Sequence, residues 1–271
     1  MSRGKTIVLI TGANTGIGYQ TVRHLLASDT SYHVLLGARS EEKARKAIET
    51  LITEYSGTTS SISHIVVDLE SDESISKAFE MISSITDRLD VLINNAGVEL
   101  DVFGPNEGLT TRQIFDRTFT TNVAGPQILT TAFIPLLLKS DDPRLLFLTS
   151  GTASFKLSAN PDFMLNKSPA KGWPKPFQRE LPAYKSSKVA LNMIMRDWHR
   201  ILKEDGVKVW TVNPGFVATG LGGDTETLKK LGAGDPAGSG AFVVSVIEGK
   251  RDADVGRTVQ QKWLYGDILP F

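Results

Sequence analysis

The chain of 271 residues contains no cysteine. Disulfide bonds, a thiolate nucleophile and cysteine-based zinc sites are therefore excluded. Its four histidines are scattered and form no H-x-x-x-H pair. We therefore expect no metal site built on histidine, although the sequence leaves a site of carboxylates open. The overall expectation is a protein without a metal centre.

The sequence also lacks an excess of charge of either sign, since 30 basic residues balance 30 acidic ones. This balance gives no support for nucleic acid or an anionic membrane as a partner. No apolar run approaches the length of a membrane span. The first predicted strand also begins close to the N-terminus without an apolar leader segment. We expect a soluble, cytoplasmic protein.

Short apolar runs alternate with segments of helical periodicity along the chain. The apolar runs predict strands at residues 7–10, 33–36, 63–67, 91–93, 145–148, 208–212 and 261–264. The periodic segments predict helices at residues 18–28, 40–55, 72–85, 110–139, 183–204 and 238–248. This alternation predicts an α/β fold, a doubly wound parallel sheet of about seven strands with helices on both faces. Without a linker or repeat, residues 1–271 are expected to form a single domain.

Two segments interrupt this alternation. Residues 155–182 hold five of the twelve prolines, and residues 219–240 hold seven glycines. Such compositions predict long irregular loops, which in compact domains are usually lids or binding loops. Both follow predicted strands of a parallel sheet, at the edge where such sheets bind ligands.

Three glycines, Gly12, Gly16 and Gly18, lie where the first predicted strand turns into the first helix. Glycine permits a tight turn and a close approach of a ligand to the backbone. The free N–H groups at the start of the helix favour a phosphate. By itself the motif would also fit a turn without a ligand. Its position between strand and helix favours phosphate binding.

Tyr184 and Lys188 are four residues apart in a helical segment and therefore share one face. A nearby ammonium favours the phenolate and lowers a tyrosine pKa that starts near ~10. The pair could thus exchange a proton near neutral pH. Taken alone, the spacing is typical of ordinary surface pairs.

Further motifs accompany this pair at the predicted strand ends and in one helix. They are Asn94-Asn95-Ala96-Gly97, Asn122-Val123-Ala124-Gly125, Thr149-Ser150, and Pro214-Gly215 followed by Thr219. In order and context the chain resembles the short-chain dehydrogenase/reductase family between residues 6 and 219. Within that family it is similar to the carbonyl reductases. The resemblance implies a Rossmann-type fold that binds NAD(P).

The resemblance implies a catalytic role for Asn122, Ser150, Tyr184 and Lys188. Tyr184 would supply the proton and Ser150 would hold the carbonyl oxygen, with Ser154 as the alternative. Lys188 would lower the pKa of Tyr184, and Asn122 would hold a water. Asn94 would tie the central strands together. The implied cofactor contacts are Gly12, Asn14, Thr15, Gly16, Ile17, Gly18, Asp68, Leu69, Asn95, Ala96, Gly97, Tyr184, Lys188, Pro214, Gly215, Val217 and Thr219.

The end of the second predicted strand favours NADP(H) over NAD(H). An acidic residue near this strand end binds a ribose 2′-hydroxyl, whereas arginine accommodates a 2′-phosphate. Positions 36–39 hold no acid, and Arg39 and Ser40 are placed for a phosphate, with Lys43 nearby. Thr15 departs from the basic residue that many NADP-dependent members carry in the glycine turn.

Ser150 and Tyr184 are 34 positions apart, a longer interval than is usual in the family. Some monomeric carbonyl reductases carry an insertion here, and by analogy we expect a monomer or homodimer. Aromatic and apolar residues of both loops and of the segment after Asn95 could line a substrate pocket. They are Phe155, Phe163, Trp173, Phe177, Val98, Leu100, Phe103, Phe216, Leu221 and Leu228. The aromatic residues of residues 155–182 could equally pin down a solvated loop.

The residues thus predict reduction of a bulky, partly aromatic ketone or aldehyde, a small-molecule carbonyl substrate. Two other functions share the fold: a cofactor sensor without turnover, and a non-redox isomerisation or cyclisation. The presence of all four catalytic residues argues against both. The C-terminal Pro270-Phe271 pair resembles the ends of fungal members that act in secondary metabolism.

Overall fold

The computed structural model describes residues 4–163, 166–175, 180–263 and 265–271. Its centre is one eight-stranded sheet in the order β3-β2-β1-β4-β5-β6-β7-β8. The strands are β1 Thr6–Ile10, β2 Tyr32–Ala38, β3 Ser61–Val66, β4 Val91–Asn94, β5 Arg144–Leu148, β6 Lys208–Asn213, β7 Thr258–Trp263 and β8 Gly266–Leu269. The first seven run parallel, and β8 pairs antiparallel with β7. The predicted doubly wound fold is confirmed, with one strand more than expected.

The helices cover both faces of the sheet, because successive side chains of each strand point to opposite sides. Val8 and Ile10 belong to one core, and Ile7 and Leu9 to the other. The first core is closed by α1 Gly16–Ala27, α2 Glu41–Glu54 and α9 Pro236–Ile247. The second is closed by α3 Asp72–Ile85, α5 Gly125–Leu137 and α7 Pro182–Ile201. In the part of the chain that is described, no helix is long and apolar enough to cross a membrane.

The helix expected at residues 110–139 is present, but a π-helical turn interrupts it. The segment divides into α4 Thr111–Phe119, a π-helical turn Thr120–Ala124, and α5. Pro126 in the first turn of α5 donates no hydrogen bond, which favours a helix start there. Gly125 also lies so close to Leu69 that a Cβ would come within 2.6 Å of the Leu69 carbonyl oxygen. The wide turn places Asn122 inside the protein.

The two irregular segments each contain a short helix that the sequence did not predict. Residues 155–182 begin with α6 Phe155–Ser158, and residues 219–240 contain α8 Thr225–Lys230. The Ser154 hydroxyl accepts a hydrogen bond from the Leu157 N–H, and the Asp224 carboxylate accepts one from the Thr227 N–H. These caps satisfy backbone donors that a helix of four to six residues cannot satisfy itself.

Helices α1 and α9 touch at Gly240. A Cβ on Gly240 would come within 2.6 Å of the backbone carbon of Gln20, whereas a Cβ on Gly238 would meet only the end of the Gln261 side chain at 3.8 Å. The helix that follows the glycine turn therefore rests directly on the backbone of α9.

We expect Gly240→Ala to destabilise the fold by about 1 to 3 kcal/mol, because α1 must move away from the added methyl group. Gly238→Ala, in the same helix, should be neutral or stabilising by up to about 1 kcal/mol, since alanine has the higher helix propensity. Urea unfolding of both variants measures the difference. Equal free energies of unfolding would show that the close approach of the helices carries no cost.

Candidate active site

A cavity of about 960 Å³ opens at the carboxyl edge of the sheet. Many of the cofactor residues expected from the sequence line it. They are Gly12, Asn14, Thr15, Gly16, Ile17, Arg39, Ser40, Asp68, Leu69, Asn95, Ala96, Gly97, Tyr184, Lys188, Pro214 and Thr219. Three other expected cofactor residues are not among the described residues that line the cavity: Gly18, Gly215 and Val217.

The turn between β1 and α1 is shaped for an anion. Gly12 and Gly16 have φ values of 62° and 58°, in the left-handed region that favours glycine. Thr15 precedes α1 without capping it through its side chain. The first N–H groups of the helix therefore need another acceptor, which a phosphate would provide. Gly18 instead lies against Asn95, because a Cβ there would approach the Asn95 Nδ2 within 2.6 Å.

Thr11 joins this turn to the segment that follows β4, a role the sequence analysis missed. Its fully buried hydroxyl accepts hydrogen bonds from the N–H groups of Asn95 and Ala96 at 3.1 and 3.0 Å. The Asn95 Nδ2 donates in return to the carbonyl oxygen of Thr11 at 2.7 Å. A hydroxyl directly after a buried strand was the only available signal, and it is too common to identify this bridge.

Asn122, on the π-helical turn, holds the backbone beyond Gly97. Its Oδ1 accepts from the Val98 N–H at 2.8 Å, and its Nδ2 donates to the Val98 carbonyl at 2.9 Å and to the Ser187 hydroxyl at 3.0 Å. The Asn122 side chain is thus used for contacts within the protein. Gly97 fits between Asn122 and Lys188, since a Cβ would lie 3.1 Å from the Asn122 Oδ1 and 3.4 Å from the Lys188 Nζ.

Helix α7 carries Tyr184 and Lys188 on the face towards the cavity. The Lys188 Nζ donates to the Leu148 carbonyl at the end of β5 at 2.8 Å and lies 5.8 Å from the centre of the Tyr184 ring. The Ser150 hydroxyl lies near enough to the Tyr184 hydroxyl to lower the Tyr184 pKa. It also lies 2.9 Å from the Thr152 hydroxyl. Ser154, the alternative to Ser150, is buried and caps α6 instead.

Burial dominates the proton affinities of this pair. It raises the pKa of Tyr184 to about 12, partly offset by the hydrogen bond with Ser150, while the Glu99 carboxylate raises it further. Burial also lowers the pKa of Lys188 from 10.5 to about 8. The expected lowering of the Tyr184 pKa is therefore wrong for this environment, because desolvation of the phenolate has the largest effect on it.

The far end of the cavity is basic. The exposed Arg39 follows β2, and Lys43 and Lys46 project from the first two turns of α2. The Ser40 hydroxyl accepts from the Lys43 N–H at 3.3 Å and so caps α2. The Asp68 carboxylate accepts from the Glu70 N–H at 3.0 Å. This end of the cavity therefore holds three basic side chains and one carboxylate that is hydrogen-bonded to the backbone.

The cavity lining includes the apolar Val98, Leu100 and Leu221, and also Glu99, whose carboxylate is near enough to Tyr184 to raise its pKa. Phe103 lies directly against Gly223, so the segment after β4 meets the loop after β6. Trp173 does not form a wall, since 87% of its surface is exposed. Leu228 is buried but, like the exposed Phe155 and Phe216 and the half-buried Phe163, is absent from the described lining. Phe177 falls outside the described residues.

Asn94, which was expected to tie the central strands together, is buried and donates from Nδ2 to the Thr130 hydroxyl on α5 at 3.1 Å. It joins β4 to a helix rather than to another strand. Several further residues that the sequence analysis did not single out also line the cavity. They are Tyr19, Lys46, Ala47, Thr50, Val67, Glu99, Thr121, Leu148, Thr149 and Gly220. No three described His, Asp or Glu side chains come together as a metal site.

Lys188 should make the protein less stable at neutral pH than at alkaline pH. Its folded pKa lies below its ordinary value, so the unfolded chain binds more protons between pH 8 and 10.5 and stability rises with pH there. At about 1.4 kcal/mol per pH unit, the buried charge costs about 3 kcal/mol below pH 8. We therefore expect Lys188→Met to be more stable than the wild type at pH 7.

The free energy of unfolding of Lys188→Met should exceed that of the wild type by less and less as the pH rises from 8 towards 10.5. Urea unfolding across that pH range measures this difference. Lys185→Met is the matched control, since Lys185 is only half-buried on the same helix. A constant difference between Lys188→Met and the wild type at all pH values would contradict a desolvated ammonium.

Comparison with known proteins supports this reading of the site. The family model described as short chain dehydrogenase matches residues 6–181 and 172–229. The chain is 40% identical over 268 residues to the short-chain dehydrogenase/reductase tropE of Talaromyces stipitatus, covering 98% of each chain. It is 43% identical over 259 residues to the short-chain dehydrogenase/reductase eupG of a Phoma species, covering 92% of each.

Solved structures share the same fold. The NADPH-bound carbonyl reductase from chicken fatty liver superimposes with a TM-score of 0.77 at 23% identity, over 98% of this chain and 99% of that one. The carbonyl reductase Sniffer of D. melanogaster gives a TM-score of 0.74 at 24% identity, over 99% and 100%. With two relatives at 40% identity or more along almost its whole length, the chain belongs to the short-chain dehydrogenase/reductase family of oxidoreductases.

Proposed function

We propose that this protein is an NADPH-dependent reductase of a bulky, partly aromatic ketone or aldehyde, with alcohol oxidation as the reverse reaction. The observation that carries the proposal is a cavity lined by Tyr184 and Lys188 at one end, with Ser150 close to Tyr184, and by basic residues at the other. A hydroxyl, a phenol and an ammonium there suit the reduction of a carbonyl group. The glycine turn and the basic end suit a phosphorylated dinucleotide.

The residues present fit such a cofactor. The uncapped start of α1 and the left-handed glycines would hold the pyrophosphate, and Arg39 with Lys43 would hold a 2′-phosphate. The segment Asn95–Gly97, Lys188, Pro214 and Thr219 would line the nicotinamide half. When bound, NADPH supplies the hydride, while the protein supplies position and charge.

The protein's own residues stabilise the negative charge that develops on the carbonyl oxygen. The Ser150 hydroxyl lies close to the Tyr184 hydroxyl, so an oxygen placed between the two would accept a hydrogen bond from both. A phenol with a pKa near 12 stays protonated at neutral pH and can donate its proton to the new alkoxide. The ammonium of Lys188 then stabilises the phenolate. Ser154, engaged at α6, is less suited to the oxygen.

The apolar Val98, Leu100 and Leu221 beside Tyr184 support an apolar substrate. We place this reaction in the cytoplasm and infer a monomer or homodimer with one domain over residues 1–271. In this proposal the insert 155–182 and the loop 219–240 flank the substrate. The fungal relatives favour a role in secondary metabolism.

Tyr184→Phe should lower kcat for carbonyl reduction by about 10² to 10⁴-fold, because the proton donor is removed. NADPH oxidation with a panel of ketones and aldehydes measures the effect. Tyr55→Phe is the control, because Tyr55 is the C-cap residue of α2 and is absent from the described cavity lining. Tight NADPH binding by the wild type without turnover of any carbonyl would favour a cofactor sensor. Product formation that survives Tyr184→Phe would favour a non-redox reaction.

Arg39→Asp should reduce the preference for NADPH over NADH by about 10 to 100-fold in kcat/KM, since a charged hydrogen bond becomes a repulsion. Arg45→Asp is the matched control, because Arg45 lies close to Arg39 in sequence, on α2, but pairs with Glu41 at 2.6 Å and is absent from the described cavity lining. An unchanged ratio in Arg39→Asp would remove the support for a 2′-phosphate site at this residue.

A further inference from the structure

The start of helix α7 has an unusual set of backbone donors. Its N-cap residue, Leu181, has a side chain that cannot accept a hydrogen bond, and Pro182 carries no N–H. The Lys185 N–H donates to the Leu181 carbonyl at 2.8 Å. The N–H groups of Ala183 and Tyr184 are therefore the two that need an acceptor from elsewhere in the chain.

Asp101 provides both acceptors from a distant part of the sequence. Its Oδ1 accepts from the Ala183 N–H at 3.1 Å, and its Oδ2 accepts from the Tyr184 N–H at 2.9 Å. A carboxylate that binds two adjacent N–H groups fixes both the position and the rotation of the first turn. One of these groups belongs to the residue that presents the phenol.

The segment that carries Asp101 is itself held firmly. Asn122 binds both the N–H and the carbonyl of Val98. The Glu99 Oε1 accepts from the Val102 N–H at 3.1 Å, and the Gly104 N–H donates to the Leu100 carbonyl at 2.9 Å. Asp101 is thus anchored on both sides, through the same asparagine that packs beside Gly97 and Lys188.

We propose that Asp101 is a positioning residue that holds Tyr184 in register with Ser150 by fixing the first turn of α7. The inference rests on the proposed reductase function for its effect on turnover. Ser150 follows β5 and Tyr184 begins α7, so no neighbouring stretch of backbone fixes their separation. A displacement of about 1 Å between reacting groups can cost on the order of 10²-fold in rate.

The test compares Asp101→Ala and Asp101→Asn with Asp235→Asn. Asp235 caps α9 through the Ala237 N–H at 2.8 Å, and none of the described lining residues belongs to α9. Amide exchange at Ala183 and Tyr184 needs no substrate. It should become about fivefold faster or more in Asp101→Ala and stay unchanged in Asp235→Asn, because only the former loses the cap of α7.

Turnover provides the second measurement. Asp101→Ala should lower kcat for carbonyl reduction by about 10 to 100-fold, with the Kd for NADPH within about twofold of the wild type. Asp101→Asn keeps one acceptor, so its kcat should lie between those of the wild type and Asp101→Ala. It replaces Asp101→Ala in the test if that variant does not fold. Asp235→Asn should keep the wild-type kcat even if its stability falls.

Unchanged exchange at Ala183 and Tyr184, or a folded Asp101→Ala with wild-type kcat, would overturn the positioning role. A wild-type protein that reduces no carbonyl would overturn the proposed function instead. In that case the exchange measurement still decides whether Asp101 holds the start of α7. A rise in KM with constant kcat would assign Asp101 to substrate binding and contradict the proposal.

Discussion

The site depends on the tie between the carboxyl ends of β1 and β4. The Thr11 hydroxyl and the Asn95 side chain cross-link the glycine turn to the segment after β4, and Gly18 leaves the space that Asn95 needs. The glycine turn and the segment Asn95–Gly97 are therefore held as one unit. These bonds extend the pairing of β1 with β4 beyond the edge of the sheet, where the backbone ladder has ended.

The half of the cavity around Tyr184 is built by a second chain of contacts that starts from the same segment. Asn122 holds Val98 through paired hydrogen bonds, and Asp101 caps the helix that carries Tyr184. Lys188 is buried beside the end of β5, where its ammonium is costly. The buried ammonium lowers the stability of the fold, but it places a positive charge where a phenolate would form. Such strongly shifted pKa values are common at functional sites.

The sequence predicted the sheet, most helices and the cavity-lining glycine turn, because these depend on local patterns. Apolar runs such as residues 145–148 and the spacing of Tyr184 and Lys188 are visible without a fold. The π-helical turn around Asn122 was missed, since it depends on the contact of Gly125 with Leu69. Asp101 was missed for the same reason, because it caps a helix more than eighty residues away. The raised pKa of Tyr184 follows from burial, which no spacing reveals.

The contact between Phe103 and Gly223 constrains how this protein can diversify. Gly223 has a φ of 108°, and a Cβ there would overlap the Phe103 ring. Any side chain at position 223 would therefore be strained by its own backbone, whatever the size of residue 103. This glycine fixes the two loops that border the apolar end of the cavity against each other. New substrate shapes would arise most readily through substitutions elsewhere in these loops, at positions outside this contact.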